Sequence, residues 1–148
     1  MIQEEKIMEL PRKNLAIVII LSLVTFATYI GFWFLKRKDA FNNFGKHHVP
    51  FNLWIVATIF LVISLVHFII GNFIFTPFGL VYIESYNIIL TYLFIALLYY
   101  SIFRIKDVLE REYHHLELNK YLTFFFHIWY IQYKINQMHD YDEMERVA

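Results

Sequence analysis

The sequence predicts an all-α integral membrane protein with three transmembrane helices, and composition together with long uncharged runs carries that prediction. The chain has 148 residues, of which 59% are hydrophobic, whereas a soluble domain is roughly half apolar. Basic and acidic residues number 13 each, which leaves no excess charge for binding nucleic acid. There is no cysteine, so disulfides, thiolate metal sites and cysteine catalysis are excluded.

The first uncharged run, residues 15–35, is predicted to be one continuous membrane-spanning helix after a polar N-terminus at 1–14. At this length the helix would extend about 31 Å, close to the thickness of a bilayer's hydrocarbon core. A basic triplet at 36–38 follows it, as expected of a cytoplasmic anchor. The alternative is a run that dips into the membrane and returns. The continuous span is preferred because no Pro or Gly interrupts the run before Gly31.

Two further spans are predicted after a basic loop at 36–52. The second uncharged run covers 53–75, and the third covers about 82–103. Between them, Thr-Pro-Phe-Gly at 76–79 is a turn signal. The connection between these runs holds no Lys or Arg, so it is expected outside the cell, with the basic segments in the cytoplasm.

The remaining residues are predicted to stay on the cytoplasmic side of a cell membrane. Residues 104–120 read as a charged helical extension, and 121–137 as an amphipathic helix lying in the interface, before a polar tail at 138–148. The uncharged part of the last apolar run is short for a span. Four transmembrane helices, with that run crossing the membrane, are the alternative. The whole chain, 1–148, is interpreted as a single multi-pass membrane domain.

An internal repeat is the most specific pattern in the chain. Its members are Thr25, Tyr29 and Lys36 in the first copy, and Thr123, His127, Tyr130 and Lys134 in the second. On a continuous helix this spacing places the members of a copy on one stripe. In the second copy, aromatic and aliphatic residues lie opposite the stripe, as expected of a helix in the headgroup region. The alternative is that two membrane-edge segments share a composition without being related.

The two copies resemble a known family. The Thr-Phe-x-x-Tyr-x-x-x-Trp-Phe-x-Lys pattern of 25–36 and TFFFHIWYIQYKINQ at 123–137 look like small prokaryotic multi-pass membrane proteins that are known only as a domain of unknown function. That family usually has Gly after Thr-Phe, whereas this chain has Ala27 and Phe125, which disfavours a sharp bend there. The resemblance implies a prokaryotic membrane protein and supplies no activity, substrate or catalytic residue.

Polar residues inside the predicted spans are candidates for function, because burying them in lipid is costly. They are His67, Asn72, Glu84 and Asn87. His67 and Glu84 could meet across the turn as a proton-relay pair. The preferred interpretation is structural, with Glu84 at the outer interface and His67 bonded to a carbonyl or packed on a ring.

A metal site in the charged extension is considered and disfavoured. Asp107, Glu110, His114 and Glu117 occur at i, i+3, i+7 and i+10, a spacing that can hold a metal in a helix bundle. Basic residues alternate with these acids, as on an ordinary solvated helix. No phosphate-binding, hydrolase or metalloprotease motif is present. No cofactor is predicted, and an enzyme is unsupported.

Three functions are compatible with this sequence. The preferred hypothesis is an accessory or structural subunit that acts through helix–helix and interfacial contacts, with the lipid bilayer and a membrane-protein partner or a homo-oligomer. The alternative is a small oligomeric transporter or channel using His67 and Glu84. A metal-dependent membrane enzyme using His114 is the third.

Overall fold

All regular elements that the structure describes are α-helices, which confirms the predicted all-helical class. The computed structural model describes residues 10–43, 49–113 and 116–147, without the side chains of residues 72, 142, 143 and 145–147. The helices are α1 (Leu15–Val24), α2 (Thr28–Leu35), α3 (Lys38–Asn43), α4 (Phe51–Ile74), α5 (Pro77–Glu112) and α6 (Lys120–Val147). Within these residues, α4 and α5 are long and apolar enough to cross a membrane.

Helices α4 and α5 form a hairpin around the predicted turn. The N–H of Phe75 donates to the Gly71 carbonyl at 2.9 Å and closes α4. The Thr76 side chain then caps α5 by accepting the Gly79 N–H at 3.3 Å, and Pro77 occupies the first turn, where a missing N–H costs nothing. Helix α5 continues without interruption to Glu112. The first part of the predicted charged extension therefore belongs to α5.

The first apolar run is not one helix, so the prediction of a single continuous helix at 15–35 is wrong. Helix α1 has ten residues and is about 15 Å long, half of a bilayer's hydrocarbon core. After it, Phe26 and Ala27 adopt left-handed backbone angles, with φ of 46° and 66°. Their N–H groups donate to Leu23 and Ser22 carbonyls at 3.2 and 2.9 Å, which is a Schellman C-cap built without glycine.

The threonine of the first motif copy joins the two helices across this break. The Thr25 hydroxyl donates to the Leu21 carbonyl at 2.6 Å and accepts the Tyr29 N–H at 3.0 Å. One side chain therefore satisfies a carbonyl at the end of α1 and an N–H in the first turn of α2. The sequence prediction counted only Pro and Gly as helix breakers and missed this arrangement.

Helix α6 contains a second break, so the predicted helix 121–137 is also not continuous. His127 has φ 36° and ψ −116°, which is not helical. The Asn119 N–H donates to the Tyr130 hydroxyl at 3.2 Å. Eleven residues of straight helix would separate these backbones by about 16 Å, more than a tyrosine side chain can bridge. The chain therefore turns back at His127.

The buried core lies at one end of the α4–α5 hairpin. Phe34 of α2 stacks on Trp54 of α4 with ring centroids 3.8 Å apart, and the indole N–H of Trp54 donates to Ser101 of α5 at 2.8 Å. Isoleucines of α6 complete the core: Ile128, Ile131 and Ile135. Among the described residues from 62 to 97, only Gly71 is buried. The far half of the hairpin therefore presents apolar side chains to its surroundings.

Candidate functional site

The two motif copies lie at the two helix breaks and do not form the predicted continuous stripes. In the first copy, Thr25 and Tyr29 belong to the break itself, and Lys36 is exposed beyond α2. In the second copy, the four positions have separate contacts: Thr123 donates to the Asn119 carbonyl at 2.9 Å, His127 forms the break, Tyr130 accepts from Asn119, and Lys134 donates to Gln137 at 3.1 Å. The stripe interpretation is wrong because each copy changes direction within the motif.

A buried polar junction, formed by Arg37, Trp33, Gln132, Asn136 and the carbonyl of Pro11, connects the two broken segments. Arg37 is only 1% exposed. It donates to the Trp33 and Pro11 carbonyls, both at 3.2 Å, and to the Gln132 side-chain oxygen. The same Gln132 oxygen accepts the Trp33 indole N–H at 3.0 Å. One glutamine of the second motif copy therefore holds a tryptophan of the first copy and the arginine that directly follows that copy.

The charge of Arg37 is buried without a carboxylate among its described hydrogen-bond partners. Its acceptors are two carbonyls and one amide oxygen, and its guanidinium carbon lies 4.1 Å from the centroid of the Trp33 ring, a cation–π contact. Burial lowers the pKa of Arg37 to about 10, so the group stays protonated at neutral pH. A buried cation held by neutral groups depends strongly on each of them.

The segment before α1 is fixed to α6 by the outer part of the junction. Asn136 receives the Gln132 amide at 2.8 Å, donates to the Lys13 carbonyl at 2.7 Å and accepts the Lys13 N–H at 3.3 Å. Next to it, Arg12 and Asp140 form an ion pair at 2.7 Å. Because the bonds to Lys13 use its backbone, they hold the position of the chain and leave the lysine side chain exposed.

The break at His127 places its imidazole ring against aromatic rings, on a strained backbone. Its ring lies 6.1 Å from Tyr99 and 5.7 Å from Trp129, centroid to centroid. Its Nδ1 is buried without a partner in the described part of the chain. Burial lowers the pKa of His127. A positive φ in a non-glycine residue costs of order 1–2 kcal/mol, so packing must hold this geometry.

The two residues of the alternative proton-relay interpretation, His67 and Glu84, are not joined by the structure. No hydrogen bond or ion pair connects His67 to Glu84 in the residues described. The His67 ring packs near Phe75, with centroids 5.7 Å apart, in keeping with the structural interpretation of this histidine. Glu84 is exposed on α5. Asn87 accepts a hydrogen bond from Ser64 of α4 at 3.3 Å, and the Asn72 side chain lies outside the described residues.

The acidic residues of the disfavoured metal site are paired or exposed where the structure describes them. Glu110 pairs with Lys106 at 2.6 Å and accepts the Leu118 N–H at 2.9 Å, which fixes the connection from α5 to α6. Asp107 and Glu117 are exposed, and His114 lies outside the described residues. Within the described ranges, no group of three or more potential metal ligands occurs.

Sequence reasoning missed the residues of the buried junction. Arg37 was interpreted as one of three anchoring cations, and Gln132 and Asn136 were not singled out. A signal was present, because these two amides are one helical turn apart in the apolar second motif copy.

Comparison with known proteins leaves the chain without an assigned family. No family model, no curated protein and no solved structure matches it. The resemblance of the motif copies to a family of small membrane proteins stays an expectation, and function has to be argued from the residues themselves.

Proposed function

We propose that this chain is a structural or accessory subunit of a membrane assembly, anchored by the α4–α5 hairpin and braced on the cytoplasmic side by two re-entrant segments. The observation that carries this proposal is the buried junction. It uses a charged side chain and two amides to hold the two broken segments and the chain before α1 together. These polar groups bond to one another and to the backbone, so they serve the scaffold and are poor candidates for catalytic groups.

The re-entrant arrangement follows from length and charge. Helix α1 is too short to cross a bilayer, and the chain turns back directly after it. Arg12 and Lys13 precede the first apolar run, and the basic triplet at 36–38 follows it. The positive-inside rule favours placing all of them in the cytoplasm. A first run that dips and returns satisfies that rule, whereas a continuous span would put one group outside.

The second motif copy fits the same arrangement. The part of α6 before His127 has seven residues, about 10 Å of helix, so it cannot cross the membrane. The part after the break carries polar and charged side chains towards the tail. A fourth transmembrane helix is therefore disfavoured, and the C-terminal segment belongs on the cytoplasmic side. The membrane is then crossed by α4 and α5 alone.

Exposed apolar surface supports a role through contacts. Phe73, Phe78 and Tyr92 are 90%, 73% and 71% exposed on the hairpin, where lipid or partner helices would cover them. The transporter or channel alternative needs a path lined by His67 and Glu84. These residues lie on different helices and share no bond in the described part of the chain, so a path would have to be assembled from several copies.

Purification of the tagged chain from its native host in a mild detergent tests the proposal. An accessory subunit should co-purify with a second membrane protein at a fixed ratio, in both the unaltered chain and a His67→Ala variant. A chain that purifies alone and conducts ions or solutes in liposomes, with conduction lost in His67→Ala, would contradict the proposal and support the transporter alternative.

A further inference from the structure

One face of α5 carries polar groups where the hairpin is otherwise apolar. Glu84, Asn87 and Thr91 fall at i, i+3 and i+7 and line a shallow groove with Ile88 and Tyr92. All of these residues belong to α5, so no other helix of the described chain covers the groove. Glu84 is the only charged residue between positions 49 and 103.

The apolar surroundings of Glu84 make its exposure costly. It lies seven residues after Pro77, the first residue of α5, which is about 10 Å along the helix from the turn. It is the only charged residue of this candidate span before Arg104. A charged group among lipid-facing apolar side chains is expensive unless a partner satisfies it.

Asn87 has a donor left that can supply that partner in another molecule. Its side-chain oxygen accepts the Ser64 hydroxyl at 3.3 Å, which leaves the amide NH₂ as a donor. No described hydrogen bond uses this NH₂. The same face of one helix therefore offers an acceptor at Glu84 and a donor at Asn87, separated by three residues.

We propose that this face, Glu84, Asn87, Ile88 and Thr91, is the interface between two parallel copies of the chain, in which each Asn87 donates to the partner's Glu84. A two-fold axis along the membrane normal brings residues of equal depth together and makes the interface self-complementary. Three residues of helix separate donor and acceptor by about 4.5 Å along the axis, within reach of a glutamate side chain. A second copy supplies both groups that the face requires.

Cross-linking of single cysteines in native membranes tests the interface, because the chain has no cysteine of its own. Ile88 and Leu93 are equally exposed, at 59% and 60%, but they point about 140° apart on the helix. Leu93 is therefore a matched control for Ile88. Ile88→Cys should give a disulfide-linked dimer on oxidation, and Leu93→Cys should not. Equal cross-linking at both positions, no dimer at Ile88→Cys, or a foreign protein captured there would overturn the proposal.

A second substitution tests the hydrogen bond itself. Asn87→Ala in the Ile88→Cys chain removes two bonds per dimer and should weaken dimerisation about tenfold at equal protein-to-lipid ratio. Glu84→Gln keeps an acceptor oxygen and should retain dimerisation. An unchanged dimer in Asn87→Ala would overturn the proposal. These results do not depend on a co-purifying second protein, so failure here is distinguishable from failure of the proposed function.

Discussion

Gln132→Leu should destabilise the protein strongly, because one buried amide oxygen serves two donors. The substitution leaves the Trp33 indole N–H without its acceptor and removes one acceptor from the buried Arg37 guanidinium. An orphaned neutral donor costs about 1–3 kcal/mol, and a lost hydrogen bond to a charged group about 1.5–3 kcal/mol. The expected loss in the free energy of unfolding is therefore about 3–5 kcal/mol.

Gln137→Leu is the matched control, since it changes the same residue type on the same helix. Gln137 is half-buried and accepts one bond from Lys134, so its loss should cost about 1 kcal/mol or less. Unfolding of both variants in mixed micelles, followed by tryptophan fluorescence over a denaturing-detergent titration, gives the comparison. Equal stability of Gln132→Leu and Gln137→Leu would refute the claim that the junction holds the fold together.

Three further substitutions test the two helix breaks and the close contact between α2 and α4. Ala27→Gly should stabilise the protein by about 1 kcal/mol in the same titration, since glycine adopts the observed φ of 66° without strain. Gly31→Ala should destabilise it by about 1–3 kcal/mol, because an added Cβ would lie 3.0 Å from the Cβ of Thr58 on α4. Burial lowers the pKa of His127, so the unfolded chain binds the proton more readily. Stability should therefore fall as the pH drops below about 6.5, and His127→Phe should reduce that dependence.

Each of these has its own control. Gly79→Ala places a Cβ 3.5 Å from its nearest neighbour, an ordinary contact, and should change little. Ala96→Gly lies in the exposed middle of α5 and should destabilise by up to about 1 kcal/mol. If Ala27→Gly behaves like Ala96→Gly, the left-handed geometry at Ala27 carries no strain. A pH dependence that is unchanged in His127→Phe would assign it to other groups.

The sequence was sufficient to predict the α4–α5 hairpin. Long uncharged runs predicted α4 and most of α5, and the Thr-Pro-Phe-Gly turn appears where expected because its threonine caps the next helix. Those features depend on composition and local capping, which act over a few residues. The exposure of the far half of the hairpin also agrees with a lipid-facing surface.

The helix breaks were not predictable from the usual breakers. The first break uses two non-glycine residues in left-handed angles and a bridging threonine. The expectation that Ala27 disfavours a sharp bend was wrong. The repeat was the usable signal, because its two copies contain the two breaks. The spacing of the motif residues was instead interpreted on an uninterrupted helix, where it places them on a single stripe.

The buried junction could not be predicted from the sequence for a different reason. The positive-inside rule treats Lys36, Arg37 and Lys38 as equivalent, whereas the fold buries the arginine and leaves Lys36 exposed. The choice among them depends on Gln132, ninety-five positions along the chain. Pairing over such distances is set by tertiary packing, and local propensity gives no information about it.

The re-entrant first run is tested most directly by the side of the membrane on which each of its two ends lies. Lys13 and Lys36 have exposed side chains and lie on either side of that run, and Phe73 marks the far end of the hairpin. Single-cysteine variants at the three positions would be labelled in intact cells with a membrane-impermeant thiol reagent. Phe73→Cys alone should be labelled, and Lys13→Cys and Lys36→Cys should react only after the membrane is opened. Labelling of Lys13→Cys from outside would contradict the re-entrant fold and would mean that the first apolar run crosses the membrane despite its break.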